Sequence, residues 1–149
     1  MILIDTNIIS EMMKSVPSPQ IIDWIDSQDS DQLYVAATTI AEIAYGLGVL
    51  PDGKRRNSLE REFDQTIKEG FKGRVLSFDE TAARMYGIIM SKRKELGLPM
   101  SILDGQIAAI ANVHHCTLAT RNVKDFQECD LELVNPFIPA TCDQDKLIL

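Results

Sequence analysis

The first residues constrain the fold more than any other segment of the chain. Met1 to Ile4 form a short apolar run that ends directly at Asp5-Thr6-Asn7. Such a run is typical of a buried strand in a parallel sheet, and a polar triplet after it is typical of a helix start. We therefore expect Asp5 at the carboxyl edge of a parallel sheet, which is where α/β proteins place their sites.

The rest of the chain repeats this alternation of short apolar runs with helical periodicity. We predict further strands over 33–37, 74–78, 116–119 and 131–134, and helices over 8–13, 20–27, 39–50, 54–68, 79–94 and 101–114. Strands that alternate with helices predict a mostly parallel central sheet between two helical layers. With 149 residues, 45% of them apolar, we expect a single three-layer α/β/α domain over 1–149. Residues 140–149 are expected to form a flexible tail or a partner-binding arm.

Charge and cysteine content argue against several classes of protein. The net charge of −7 is unlike that of a general nucleic-acid-binding domain, which is usually basic. Basic clusters at 54–56, at 92–94 and around Arg121 and Lys124 are interpreted mainly as solvated helix faces. The three cysteines form no C-x-x-C pair, so neither a zinc knuckle nor a disulfide framework is indicated. The sequence has neither a signal peptide nor the ~20 apolar residues of a membrane span, and we expect a soluble cytoplasmic protein.

Acidic residues recur at the predicted helix starts. The four segments are Asp5-Thr6-Asn7, 39–42, 101–104 and 122–125. Helices that leave the same edge of a parallel sheet bring their N-termini side by side, so these acids can meet. Clustered carboxylates repel each other unless they hold protons or a hard cation such as Mg²⁺ or Mn²⁺. We predict a metal site built from Asp5, Glu42 and Asp104.

Helix capping is the competing explanation for the same acids. Thr39-x-x-Glu42 and Ser101-x-x-Asp104 match the capping-box pattern, and Asp5 and Asn122 match single N-caps. A cap of this kind stabilises a helix by ~1 kcal/mol and has no role in chemistry. The residue pattern alone leaves both explanations open.

At these residues the sequence resembles the PIN-domain family, and within it the VapC-type toxins of bacterial type II toxin–antitoxin systems. The overall layout is similar to the FitB-like branch. The matching segments are Ile4-Asp5-Thr6-Asn7-Ile8-Ile9-Ser10-Glu11, Thr39-x-x-Glu42-Ile43-x-x-Gly46, Leu103-Asp104-Gly105-x-Ile107-Ala108-Ala109 and Leu118-Ala119-Thr120-Arg121-Asn122. The resemblance implies a Mg²⁺- or Mn²⁺-dependent endoribonuclease that cleaves structured RNA, such as transfer RNA or ribosomal RNA loops. Asp5, Glu42 and Asp104 match the family's active-site acids.

The resemblance also assigns roles to further residues near these acids. Asn122 stands where many relatives have a fourth acid, which bears on whether a second metal ion binds. Asp125 is either a substitute for that acid or a helix-capping residue. Thr6 and Thr120 match hydroxyls that orient carboxylates or metal-bound water, or they serve turns and caps. Arg121 contacts an RNA phosphate or forms a surface salt bridge.

The resemblance implies partners as well. These are a small antitoxin of the VapB type, with a DNA-binding segment and a tail that wraps the toxin, and a second copy of the toxin. The homodimer would enter a larger toxin–antitoxin complex that reaches operator DNA only through the antitoxin. The apolar side of 81–90 either serves the dimer interface or packs into the core.

Three rival functions are compatible with some of these features. A PIN-like protein that has lost catalysis at Asn122 would act only through its partner. A receiver-type signalling domain needs an acid pair after the first strand, where this chain has Asp5-Thr6-Asn7. A haloacid-dehalogenase-like phosphatase needs Asp-x-Asp there, and Asn7 replaces the second Asp.

Overall fold

The computed structural model describes residues 1–139, and the tail expected at 140–149 lies outside them. The strands are β1 (Ile2–Ile4), β2 (Leu33–Ala36), β3 (Val75–Leu76), β4 (Thr117–Ala119) and β5 (Leu133–Val134). The α-helices are α1 (Thr6–Met12), α2 (Pro19–Asp26), α3 (Ala37–Gly48), α4 (Lys54–Gln65), α5 (Glu80–Glu95) and α6 (Ile102–Val113). Short 3₁₀ segments cover Ser30–Gln32 and Val123–Phe126, and a π-helical segment, Thr66–Gly70, continues α4.

The five strands form one fully parallel sheet in the order β3-β2-β1-β4-β5. β1 is the central strand and pairs with β2 on one side and β4 on the other. Asp5, the residue directly after β1, continues this pairing because its backbone N–H donates to the Ala119 carbonyl at 3.0 Å. The chain therefore places Asp5 at the middle of the carboxyl edge.

Successive residues of the central strands point to opposite faces of the sheet, as expected for a period of two. Leu3 packs in a core cluster with residues of α5 and α6, such as Ile89 and Ile107. Ile4 packs in a second cluster with residues of α1 to α4, such as Ile8 and Ile43. These two cores on either side of one sheet confirm the three-layer α/β/α architecture. Across residues 1–139, no helix is long and apolar enough to cross a membrane.

Two details of the helices bear on the site. α3 begins at Ala37, two residues before the predicted start, because Ala36 already ends β2. The apolar side of α5 packs into the core, with Ala82 and Ile89 buried against α6. At Gly105 the two helices approach so closely that a Cβ there would lie 2.5 Å from Met90 Sδ. This contact fixes the first turn of α6, which carries Asp104.

Candidate active site

Asp5 is the most deeply placed acid at the carboxyl edge, with 4% of its surface exposed. It caps α1, and its Oδ1 accepts a hydrogen bond from the Thr6 backbone N–H at 2.8 Å. Its Oδ2 accepts two more, from the Asn7 side-chain amide and the Thr120 hydroxyl, each at 2.7 Å. Three donors therefore hold this carboxylate in one orientation.

The donors to Asp5 are themselves linked to the turn after β4. The fully buried Thr120 hydroxyl also accepts from the Asn122 backbone N–H at 3.0 Å. The Asn7 side-chain carbonyl accepts from the Arg121 backbone N–H at 3.1 Å. The ends of β1 and β4 are thus joined by side chains as well as by strand pairing.

Glu42 reaches the same edge from the second turn of α3. Its Oε2 accepts a hydrogen bond from the Thr6 hydroxyl at 2.6 Å. The capping-box alternative for Glu42 is wrong, because Thr39 lies inside α3 and its buried hydroxyl has no partner in the described chain. Glu42 is therefore oriented by the helix that follows Asp5 and not by its own helix end.

Asp104 lies in the first turn of α6, where the capping role of Ser101 is confirmed. The Ser101 hydroxyl accepts from the Asp104 backbone N–H at 3.1 Å and donates to Asp104 Oδ2 at 2.7 Å. Each of the three acids thus accepts a short hydrogen bond from one hydroxyl, and these hydroxyls belong to Thr120, Thr6 and Ser101.

The charges of Glu42 and Asp104 act on Asp5. Burial raises the pKa of Asp5 above its usual value, hydrogen bonds from Thr120 and Thr6 oppose this, and the charges of Asp104 and Glu42 raise it further. Within residues 1–139, none of the three carboxylates forms an ion pair with a lysine or arginine. The three carboxylates therefore lack a direct basic partner within the described chain.

The three carboxylates fit a hard cation that keeps part of its water shell better than a cation that side chains enclose completely. Among residues 1–139, no three His, Cys, Asp or Glu side chains converge closely enough to hold a metal ion by themselves. Mg²⁺, however, usually takes only one or two carboxylates and keeps several waters. Asp5 Oδ1 accepts a single hydrogen bond, and Glu42 Oε1 and Asp104 Oδ1 accept none from residues 1–139. These oxygens retain lone pairs for an ion or its waters.

The remaining predicted residues lie on the turn after β4. Asn122 occupies the N-cap position of the 3₁₀ segment, the alternative role given for it, but its side chain makes no capping hydrogen bond. Asp125 is exposed on that segment, and its side chain has no hydrogen bond within the described chain. Arg121 forms the surface salt bridge given as its alternative role, with its Nη2 3.5 Å from Glu11 Oε2.

Asn7 is the main residue that the sequence analysis leaves without a role. Its place in Asp5-Thr6-Asn7 is the one sequence feature that points to a role in the site. One of its hydrogen-bond partners, Thr120, is 113 residues away along the chain. Phe137 is also absent from the sequence analysis, although the Arg121 guanidinium carbon lies 3.8 Å from its ring centroid. Contacts at such sequence separations leave no local pattern.

A groove of about 880 Å³ opens beside the acids. It lies between α1, α3 and α4, and Thr6 and Glu42 are among its lining residues. Apolar side chains such as Leu47 and Leu59 line it together with the basic Arg55. The groove therefore offers an apolar surface that leads to one of the site's carboxylates.

Comparison with known proteins places the chain in a family. The PIN domain matches residues 2–130. The chain is 39% identical over 140 residues to the VapC ribonuclease Y4jK of Sinorhizobium fredii, which covers 94% of this chain and all of that protein. It is 39% identical over 137 residues to the toxin FitB of Neisseria gonorrhoeae, covering 92% of this chain and 99% of FitB.

A solved structure agrees with these sequence comparisons. The structure of FitAB bound to an IR36 DNA fragment contains a chain with 38% identity and a TM-score of 0.89, and the match covers 96% of this chain and all of that one. The family match and the similarity over nearly the whole length agree. The chain belongs to the PIN domain family.

Proposed function

We propose that the protein is a divalent-metal-dependent endoribonuclease and the toxin of a toxin–antitoxin pair. The observation that carries this proposal is the group of Asp5, Glu42 and Asp104 at one sheet edge, without a basic partner in the described chain. The similarity to the VapC ribonuclease Y4jK and the toxin FitB supports it.

The proposed cofactor is Mg²⁺ or Mn²⁺. When bound, such an ion supplies a nucleophile by lowering the pKa of a coordinated water, and it stabilises charge on the phosphate. Asp5 and Asp104 would hold the ion directly or through water. Glu42 would bind through water or take the proton from the attacking water, with the Thr6 hydroxyl fixing which of its oxygens faces the reaction.

Thr120 and Ser101 play the corresponding positioning roles for Asp5 and Asp104. Each donates a hydrogen bond to one carboxylate oxygen, so that the carboxylate cannot rotate away from the site. Asn122 supplies an amide instead of a fourth carboxylate, which favours a single firmly held ion. Asp125 would assist a second ion only by turning its exposed side chain toward the site.

The proposed substrate is structured RNA cut in single-stranded loops, such as those of transfer RNA or ribosomal RNA. Bases in loops are accessible because they are not locked in a duplex. Water attack at phosphorus with a 3′-oxygen leaving group yields products with 5′-phosphate and 3′-hydroxyl ends. Arg121 is proposed to help hold the RNA beside the acids.

The proposed partner is a small antitoxin that binds the acidic edge. The net charge of −7 and the unpaired acids suit a basic segment. The groove beside Glu42, which combines apolar side chains such as Leu47 and Leu59 with polar ones, suits the tail of such a partner. The similar FitAB complex was solved on DNA, and we propose that this chain likewise dimerises within a larger complex that contacts operator DNA only through the antitoxin.

One observation favours a second candidate function. Asn122 occupies the fourth acidic place, so a PIN-like binding protein without turnover would show the same fold and partner surface. Metal binding without RNA cleavage would favour this candidate.

The test is cleavage of antitoxin-free total RNA by the purified chain in Mn²⁺ or Mg²⁺, with product ends mapped. We expect cuts with 5′-phosphate ends that require the metal and disappear in Asp104→Asn. Asp130→Asn, at the opposite edge of the sheet, is the matched control and should cleave like the original chain. Cyclic-phosphate ends, or equal cleavage by Asp104→Asn, would overturn the proposed mechanism.

A further inference from the structure

Arg121 is held in a different way from the other arginines on the surface. Its guanidinium carbon lies 3.8 Å from the centroid of the Phe137 ring, the one such cation–ring contact within residues 1–139. Arg56 and Arg84, in contrast, pair with glutamates one turn away on their own helices. The guanidinium of Arg121 therefore lies over an aromatic ring and is not simply extended into solvent.

Two further contacts fix this stacked pair. The Asn135 side chain donates to the Arg121 carbonyl at 3.3 Å and accepts from the Phe137 backbone N–H at 3.0 Å, so it joins both members. Glu11 lies along one edge of the guanidinium, at 3.5 Å from Nη2. Glu11 is itself held by the Ser18 backbone N–H at 3.0 Å, and its side chain is 7% exposed.

The pair still presents a surface to solvent. The Arg121 side chain is 49% exposed although one face lies on Phe137 and one edge on Glu11. About half of the Arg121 side chain therefore stays available to a ligand. A flat, weakly hydrated cation of this kind stacks well on aromatic groups.

The position of the pair connects it to the acids. The Arg121 backbone N–H donates to the Asn7 side chain, and the same Asn7 side chain donates to Asp5. The pair is thus anchored to the hydrogen-bond network that orients the deepest carboxylate of the site. A nucleotide next to the one under attack would meet this surface.

Phosphate binding is a weaker explanation for this geometry. The nearby Glu11 carboxylate takes up one edge of the guanidinium and would repel a phosphate placed there. Hydrogen bonding by Lys14 lowers the pKa of Glu11, which keeps it charged. A base, in contrast, needs only the exposed face.

We infer that Arg121, backed by Phe137, is a stacking subsite for a nucleobase of the RNA next to the scissile phosphate. The inference rests on the proposed function and specifies how the substrate is held. Unpaired bases stack on arginine planes in RNA recognition, and purines offer the larger surface. The subsite therefore selects single-stranded RNA and prefers a purine at the stacked position.

The test measures binding separately from cleavage. In the Asp104→Asn background, the affinities for decaadenylate and decauridylate are measured by fluorescence anisotropy, with and without Arg121→Lys. Lysine keeps the charge but has no plane, so we expect decaadenylate to bind about tenfold more weakly while decauridylate changes less. Arg84→Lys, on an exposed arginine of α5, is the matched control and should change neither affinity.

Other outcomes separate this inference from its alternatives. Unchanged binding by Arg121→Lys, combined with weaker binding of both oligonucleotides by Arg121→Ala, would show a charge contact with phosphate and overturn the stacking subsite. Equal loss for both oligonucleotides together with a lowered melting temperature would show a structural role and also overturn it. Phe137→Leu should reproduce the loss of purine preference. Cleavage by the original chain tests the proposed function independently.

Discussion

The two edges of the sheet carry similar residues in opposite electrostatic settings. At the amino edge, Asp130 and Glu132 precede β5. Lys92 Nζ lies 3.3 Å from Asp130, and the Thr117 hydroxyl donates to Glu132 at 2.9 Å. A cavity of about 300 Å³ lies beside them. At the carboxyl edge the acids also accept hydroxyl hydrogen bonds. There, however, the charges of Glu42 and Asp104 raise the pKa of Asp5, and none of the three has an ion-pair partner like Lys92 within residues 1–139.

The comparison shows that hydroxyl donors and a cavity do not distinguish a functional acid from a structural one. Exposed acids with a cation nearby, such as Asp130, are already neutralised and gain little from a metal. A buried acid that is repelled by neighbouring acids, such as Asp5, gains much more. Matched substitutions at the two edges therefore test the functional assignment.

Glu42→Gln should lower the rate of RNA cleavage by roughly 100-fold or more, because it removes a carboxylate from the metal site or the reaction. The glutamine carbonyl can still accept from Thr6, so folding should persist. Glu132→Gln is the control at the amino edge and should cleave at the original rate. Single-turnover cleavage measures both, and equal losses would remove the distinction between the edges.

Mn²⁺ should raise the melting temperature of the protein. An ion that binds only the folded state, at a concentration a hundred times its dissociation constant, raises the free energy of unfolding by about 2.7 kcal/mol. Thermal unfolding with and without Mn²⁺ should show this gain in the original chain and in Asp130→Asn but not in Asp104→Asn. A gain that survives Asp104→Asn would place the ion elsewhere.

Thr120→Val should destabilise the metal-free fold by about 1–3 kcal/mol, because it removes a donor to Asp5 and leaves the Asn122 N–H without its acceptor. Thr117→Val removes a bond to a surface acid at the amino edge and should cost at most about 0.5 kcal/mol. Denaturant unfolding measures both values. Equal losses of unfolding free energy in the two variants would contradict the view that side-chain hydrogen bonds stabilise the carboxyl edge more than the amino edge.

The smallest expected effect is the pH dependence due to Asp5. Burial raises the pKa of Asp5 in the folded state above its usual value, so the folded state holds the proton more strongly than the unfolded state. Its contribution to stability is therefore fully present below the unfolded pKa and is lost as the pH rises through the folded pKa. The difference in unfolding free energy between the metal-free original chain and Asp5→Asn should fall with rising pH and then level off. A difference that increases with pH would contradict the raised pKa.

Local pattern predicts most of the elements but not all of their boundaries. The strand before Asp5 and the cap at Ser101 are predicted because apolar runs and N-caps are short-range signals. The start of α3 is predicted two residues too late, because Thr39 resembles a cap and nothing local shows that Ala36 ends the strand. The observed start of α3 removes the capping alternative for Glu42, whose carboxylate accepts from Thr6 instead.

Runs of charged residues predict solvent exposure less reliably, because burial depends on neighbours that are distant in sequence. The cluster Lys92-Arg93-Lys94 is interpreted as a solvated face, yet Arg93 is 4% exposed. Its guanidinium donates to the carbonyl groups of Leu98 and Gln127 and joins α5 to the segment after β4. The neighbours that bury it are distant in sequence, so composition does not reveal them.

The order of apolar runs, helices and acid-bearing helix starts is enough to specify a parallel three-layer fold with Asp5 and Asp104 at its carboxyl edge, because hydrophobic period and capping act over a few residues. Which hydroxyl serves which acid, and which acids lack a cation, depends on side chains from β1, α3, α6 and the turn after β4. Those side chains meet only when the sheet assembles, since hydrogen bonds and ion pairs require contact at about 3 Å. Tertiary structure therefore decides which carboxylates remain available for a metal.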